Sequence, residues 1–141
     1  VIIRQFHVEH LKVMRLHESM QWCGPYLTDE VLATIAETRA YTGFIKDDPI
    51  CIGGLLDMWP GRAMAFTFMS AEAGPYMRSI TTAVREFLEQ CDVRRVEAYV
   101  DEHFEAGHRW MGMLGFNSEG LLRAFLPNGK SQVIYSRIND G

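Results

Sequence analysis

The stretch from Arg95 to Gly120, RVEAYVDEHFEAGHRWMGMLGFNSEG, constrains the fold of this chain more than any other. Val96, Ala98 and Val100 alternate with Glu97, Tyr99 and Asp101, the two-residue period of a strand with one apolar face. Phe104, Gly107, His108, Met111 and Leu114 then recur at spacings of three and four, so the chain turns into a short helix with one buried stripe. Gly115 sits where a left-handed residue ends a helix. Phe116 opens a further apolar run through Leu121, Leu122, Ala124 and Phe125, the turn Pro127-Asn128-Gly129 interrupts it, and a last strand spans Gln132 to Ile138. Asn-Gly between two such runs predicts a hairpin.

The remainder supplies what is needed to surround that stretch. Val1 to Phe6 is a short β-rich run, and from His7 a helix is expected with Val8, Leu11, Met14, Leu16 and Met20 on its apolar side, ended by Cys23-Gly24-Pro25-Tyr26. Thr28 is placed to cap a second helix running to about Thr38, with Asp29 and Glu30 in the first turn and Leu27 and Leu32 at the two ends of a hydrophobic staple. Ala40 to Lys46 and Ile50 to Leu56 read as strands joined at Asp47-Asp48-Pro49, and Gly53-Gly54 implies a bulge or a close backbone approach. After the turn Trp59-Pro60-Gly61, Met64 to Ser70 is apolar on both faces and therefore expected in the middle of the sheet. Gly74-Pro75 opens a helix whose buried face carries Tyr76, Ile80, Ala83, Val84, Phe87, Leu88 and Cys91. The expected order is β-α-α-β-β-β-α-β-α-β-β.

A chain of 141 residues reads as one domain, spanning 1–141. A net charge of -4 with scattered Lys and Arg argues against nucleic acid or an anionic membrane surface as partner. The three cysteines, Cys23, Cys51 and Cys91, are odd in number, far apart and set in apolar runs, which fits reduced thiols and a cytoplasmic location. No apolar run approaches the ~18 residues of a membrane span, and the first residues lack the architecture of a signal peptide. His7, Glu9, His10 and His17 lack the H-E-x-x-H spacing of a zinc helix, so no metal is expected.

In this order of elements, Leu114-Gly115-Phe116 with Glu119-Gly120, preceded by Gly107-His108-Arg109-Trp110 and followed by Asn128-Gly129 and Tyr135-Ser136-Arg137, resembles the C-terminal half of the GNAT superfamily of acyl-CoA-dependent N-acyltransferases. Within it the chain is similar to small GNAT-like proteins encoded by phages and prophages, for which the location would be the host cytoplasm. The resemblance implies an α/β (α+β) fold, a mixed and mostly antiparallel central sheet of about seven strands with four helices. It also implies acetyl-CoA as co-substrate and a small-molecule or protein amine as acceptor. The apolar edge of the last strands would suit a homodimer.

In that superfamily the fourth and fifth strands splay, and the cofactor's pantetheine arm lies in the opening with its pyrophosphate on the next helix N-terminus. Carried over, the resemblance gives Met69, Ser70, Ala71, Gly74, Tyr76, Met77 and Arg78 as cofactor-binding residues, with Tyr99 and His103 toward the substrate. The loop departs from the usual Q/R-x-x-G-x-G/A: only Gly74 remains, Pro75 has no N–H, and Glu72 carries the wrong sign for a phosphate, whereas the Arg78 guanidinium suits one. Phe104 stands where many members have Asn, and Met111 where many have the Tyr that protonates the leaving thiolate. Acyl transfer requires a neutral amine, and His108, Asp101 and Glu72 are the candidate bases. A histidine on the buried stripe of a helix is also an ordinary hydrogen-bonded core residue. Two functions are therefore expected in competition: an acetyl-CoA-dependent N-acetyltransferase, and a GNAT-fold binding or structural protein without chemistry.

Overall fold

The computed structural model describes residues 1–139. Its elements are β1 (Ile2–Gln5), α1 (Val8–Val13), a 3-10 segment (Glu18–Tyr26), α2 (Asp29–Ala36), β2 (Arg39–Ile45), β3 (Asp48–Trp59), β4 (Arg62–Met69), α3 (Met77–Gln90), β5 (Arg95–Asp101), α4 (Glu105–Met113), β6 (Asn117–Leu122) and β7 (Gln132–Ile138). One seven-stranded sheet has the order β1-β2-β3-β4-β5-β7-β6. It is mostly antiparallel, β1 with β2, β2 with β3, β5 with β7 and β6 with β7. β4 and β5 run parallel, in a ladder from Arg62↔Arg95 to Met64↔Glu97, although β4 continues to Met69 and β5 to Asp101. The expected α/β architecture, with β4 in the middle, is the one observed.

The chain divides into two compact units, Val1–Leu56 with Phe66–Val84, and Asp57–Ala65 with Arg85–Gly141. In the first, Phe6, Leu11, Met14, Leu32, Ile35, Ala40 and Ile52 form a buried cluster against which Leu16, Leu27, Phe66 and Phe68 pack. Thr28 caps α2 as expected, its hydroxyl accepting from the Val31 N–H, and Leu27 and Leu32 both reach the core. Gly54 faces Ala40 across β2 and β3, where a Cβ would lie 2.6 Å from the Arg39 carbonyl. The close approach is at Gly54, while the bulge lies on β2 between Gly43 and Phe44.

The first helix differs from expectation. It ends at Val13 with Met14 extended, rather than running on to the Cys23-Gly24 break. Leu16 forms an isolated antiparallel bridge with Ser70, and the His17 N–H donates to the Met69 carbonyl instead of to a helical acceptor. Glu18–Tyr26 follows as a 3-10 segment with no buried residue and with Pro25 inside it. A strand edge thus outcompetes helix propagation for these backbone groups.

In the second unit, Leu88, Val93, Val96, Ala98, Val100, Met111, Leu114, Phe116 and Tyr135 are buried. Gly115, at φ +86, ends α4: the Phe116 N–H donates to the Met111 carbonyl and the Gly115 N–H to that of Gly112, the paired bonds of a Schellman ending. The hairpin β6–β7 forms, but around a longer loop, 123–131, than the tight Asn-Gly turn expected. Gly129, at φ +82, donates to the Leu126 carbonyl, and the N–H groups of Phe125 and Leu126 both donate to Lys130.

Candidate functional site

The residues expected to hold a cofactor lie at the end of β4 and in the turn leading to α3. The Ser70 N–H donates to the Ile50 carbonyl, so this group faces β3. The backbone of Met69 is satisfied by the segment after α1: its carbonyl accepts from the His17 N–H at 2.8 Å, and its N–H donates to the Met20 Sδ at 3.3 Å. The Ala71 N–H donates to the Arg15 carbonyl and the Glu72 N–H to the Ser70 hydroxyl. Gly74-Pro75-Tyr76 is a 3-10 turn, in which the Tyr76 N–H goes to Ala73 and the Met77 N–H to Gly74. The amides of Met69, Ala71, Tyr76 and Met77 are therefore all paired within the chain.

Two features of this turn suit an anion. Arg78 is exposed in the first turn of α3, and among the described residues its guanidinium makes no hydrogen bond or ion pair. A Cβ built on Gly74 meets nothing within 4 Å, so the space beside its Cα is open. Glu72 points elsewhere, 3.7 Å from Arg15 with both side chains well exposed. The residues present fit a phosphate through Arg78 and the backbone at Gly74, and not through a cradle of amides.

In the second unit, Glu97 is buried on the polar face of β5, between the half-buried Arg95 and Tyr99. Glu97 is 2% exposed and accepts from Arg62 Nε at 2.6 Å, Arg62 Nη2 at 2.8 Å, Arg95 Nε at 2.7 Å and the Tyr99 hydroxyl at 3.2 Å. Arg95 also holds Glu119, which accepts from the Ser136 hydroxyl at 2.7 Å, and the Arg62 guanidinium lies 4.4 Å from the Trp59 ring centroid. The Arg62 guanidinium, foremost, then Arg95, hold the Glu97 carboxyl at about 2 against the upward push of burial. Arg95 and the Ser136 hydroxyl hold Glu119 at about 2 as well. Burial and the charge of Glu97 push the Tyr99 phenol up. Tyr99 stacks on Phe125 at 5.7 Å. Alternation along the strand sets Glu97 on the polar side; in the structure it is the centre of an ionic network with Arg62, Arg95, Glu119 and Ser136, of which the sequence marked Glu119 and Ser136 only as part of the resemblance.

The remaining candidates are held locally. His108 Nε2 lies 2.9 Å from the Glu102 carbonyl, which can only accept, so the proton sits on Nε2. In the neutral ring Nδ1 then accepts from the Tyr135 hydroxyl at 2.6 Å. Asp101 Oδ1 accepts from the His103 N–H at 2.9 Å, closing the turn into α4, and the His103 ring is 87% exposed beside Glu102. Among the described residues no group of His, Cys, Asp and Glu is placed to hold a metal ion. No helix there is long and apolar enough to cross a membrane.

No protein-family model matches the chain, and no curated protein matches it in sequence. Solved structures do. The ribosomal-protein-S18-alanine N-acetyltransferase of Escherichia coli aligns with a TM-score of 0.75 at 12% identity, over 97% of this chain and 92% of that one. An acetyltransferase of the GNAT family from Bacillus anthracis gives 0.69 at 12% identity, over 96% and 93%. The fold is GNAT. A Bacillus subtilis acetyltransferase solved in complex with CoA gives 0.70 at 14% identity, over 97% of each chain. With a GNAT fold spanning nearly the whole chain, the short β4–β5 ladder stands at the strand pair that the sequence resemblance points to.

Proposed function

We propose that the protein is an acyl-CoA-dependent N-acyltransferase, most simply one that moves an acetyl group from acetyl-CoA to the amine of a small molecule or a protein. The observation that carries this is the parallel β4–β5 ladder, limited to Arg62–Met64 and Arg95–Glu97, inside a GNAT sheet order. The likeness in fold to a protein solved with CoA supports it. Arg78 and the Gly74 backbone would hold the pyrophosphate, with Met69, Ser70, Ala71, Tyr76 and Met77 along the rest of the cofactor's path, and the thioester would supply the activated acyl group. Tyr99 and His103 would face the amine. Of the candidate bases, Glu72 is exposed and among the described residues accepts no hydrogen bond beyond a long ion pair, while Asp101 holds a turn and His108 is engaged at both ring nitrogens. The amine proton then passes to solvent or to Glu72.

A second reading has its own observation. The paired amides of Met69, Ala71, Tyr76 and Met77, together with Met111 in place of a proton donor, favour a GNAT-fold protein that binds partners without chemistry, as suits a phage or prophage component. Calorimetric titration with acetyl-CoA, run beside Arg78→Glu, separates the two. Saturable binding that the variant loses supports the acyltransferase. Absence of heat and of thermal stabilisation at millimolar acetyl-CoA overturns it in favour of the second.

A further inference from the structure

The segment between α1 and α2 is attached at its ends rather than along its length. Leu16 and Leu27 pack on the core, and between them Glu18–Tyr26 has no buried residue, with Trp22 and Tyr26 exposed. Its attachment to β4 is by hydrogen bonds: the Leu16↔Ser70 bridge, His17 N–H to the Met69 carbonyl, and Met69 N–H to the Met20 thioether. A thioether sulfur is a weak acceptor for a backbone amide. Met69 is thus an inner-strand donor whose partner is a poor one, on a segment whose 3-10 stretch buries no residue. A stronger acceptor, such as an amide or thioester carbonyl, would displace it at small cost.

We propose that Leu16–Tyr26 is a displaceable strap that closes the edge of β4, with the Met20 sulfur occupying the place a ligand carbonyl takes on the Met69 N–H. The proposal rests on the acyl-CoA reading above and adds a built-in competitor to it. When the strap is seated, the Met69 amide is withheld. When Met20 leaves, the amide becomes available, and once His17 lifts with the strap so does the Met69 carbonyl, for pairing with an extended chain that carries amides of its own.

The test uses the full chain with methionine amides labelled for NMR, comparing wild type, Met20→Leu and Met20→Gln. Leu keeps the bulk without an acceptor, and Gln presents a carbonyl of similar reach. Without ligand, Met69 amide exchange should be faster in Met20→Leu and slower in Met20→Gln. Acetyl-CoA should bind about fivefold tighter to Met20→Leu and about fivefold weaker to Met20→Gln, on the size of one hydrogen bond. Met69 exchange that is the same in all three proteins overturns the strap whatever the ligand does. Equal acetyl-CoA affinity in all three overturns its role as competitor and leaves the acyl-CoA site standing. No binding to any of them overturns both the competitor and the acyl-CoA reading, even if Met69 exchange still follows Met20.

Discussion

Glu97 shows what alternation along a strand cannot say. Arg95, Glu97 and Tyr99 share one face of β5, and polar residues at that period read as turned to water. The sequence does not reveal what stands opposite. Here Arg62 pairs with Arg95 across the parallel ladder and Ser136 with Glu97 across the antiparallel one, so the polar face is enclosed by its own counter-charges. Glu97→Gln should destabilise the fold by about 2 kcal/mol, read as a lower urea midpoint. A charge left alone in a buried pair costs about 3 to 5 kcal/mol, but the Arg62 and Arg95 side chains are 23% and 30% exposed and partly rehydrate. The same substitution removes the negative charge that opposes ionisation of Tyr99. Ultraviolet titration should find one tyrosine ionising above its ordinary range in the wild type, and that transition should move down in the variant.

Helix ends were legible because each is set by a few adjacent residues. Thr28 caps α2 through one hydroxyl, and Thr28→Ala should lower stability by about 1 kcal/mol with the helix otherwise retained. Gly115→Ala places a Cβ at φ +86, where the left-handed conformation costs an L-residue about 1 kcal/mol. Both are read from thermal and urea unfolding, and an unchanged midpoint in either would deny the cap its role. The segment after α1 was illegible for the opposite reason. Leu16 and Met20 keep a helical spacing with Leu11 and Met14, yet their partners, Ser70 and Met69, lie at the end of β4, some fifty residues on, and periodicity carries no trace of that. The hairpin loop falls between these cases, since Asn128-Gly129 marks the turn but not the extra bonds to Lys130 that lengthen it.

For the molecule entire, the order of elements and the sheet could be read from the chain because they follow from apolar periods and turns, which are local. The candidate site could be read only as positions, because whether an amide is available depends on who else has taken it, and Met69, Tyr76 and Met77 are each taken by a different neighbour. The ionic network should make the fold sensitive to acid. Glu97 and Glu119 are both held at about 2 by their arginines, below the ordinary glutamate value of 4.5 that applies when the chain is unfolded. Between these values the unfolded chain binds more protons than the native one, so stability rises with pH there. The contribution is complete above the unfolded value and is lost as pH falls from about 5 toward about 2. Urea midpoints should therefore be level from about pH 7 to about pH 5 and then decline. In Glu97→Gln the decline should be shallower, because one of the two depressed carboxylates is gone. In Glu119→Gln the decline should also be reduced, and what remains should depend less on added salt than the wild-type decline does, since screening reaches the Arg95–Glu119 pair, which the variant lacks, more readily than the enclosed Arg62–Glu97 pair. A wild-type and a Glu97→Gln profile of the same slope would place the acid sensitivity in other carboxylates and deny the network its hold on the fold.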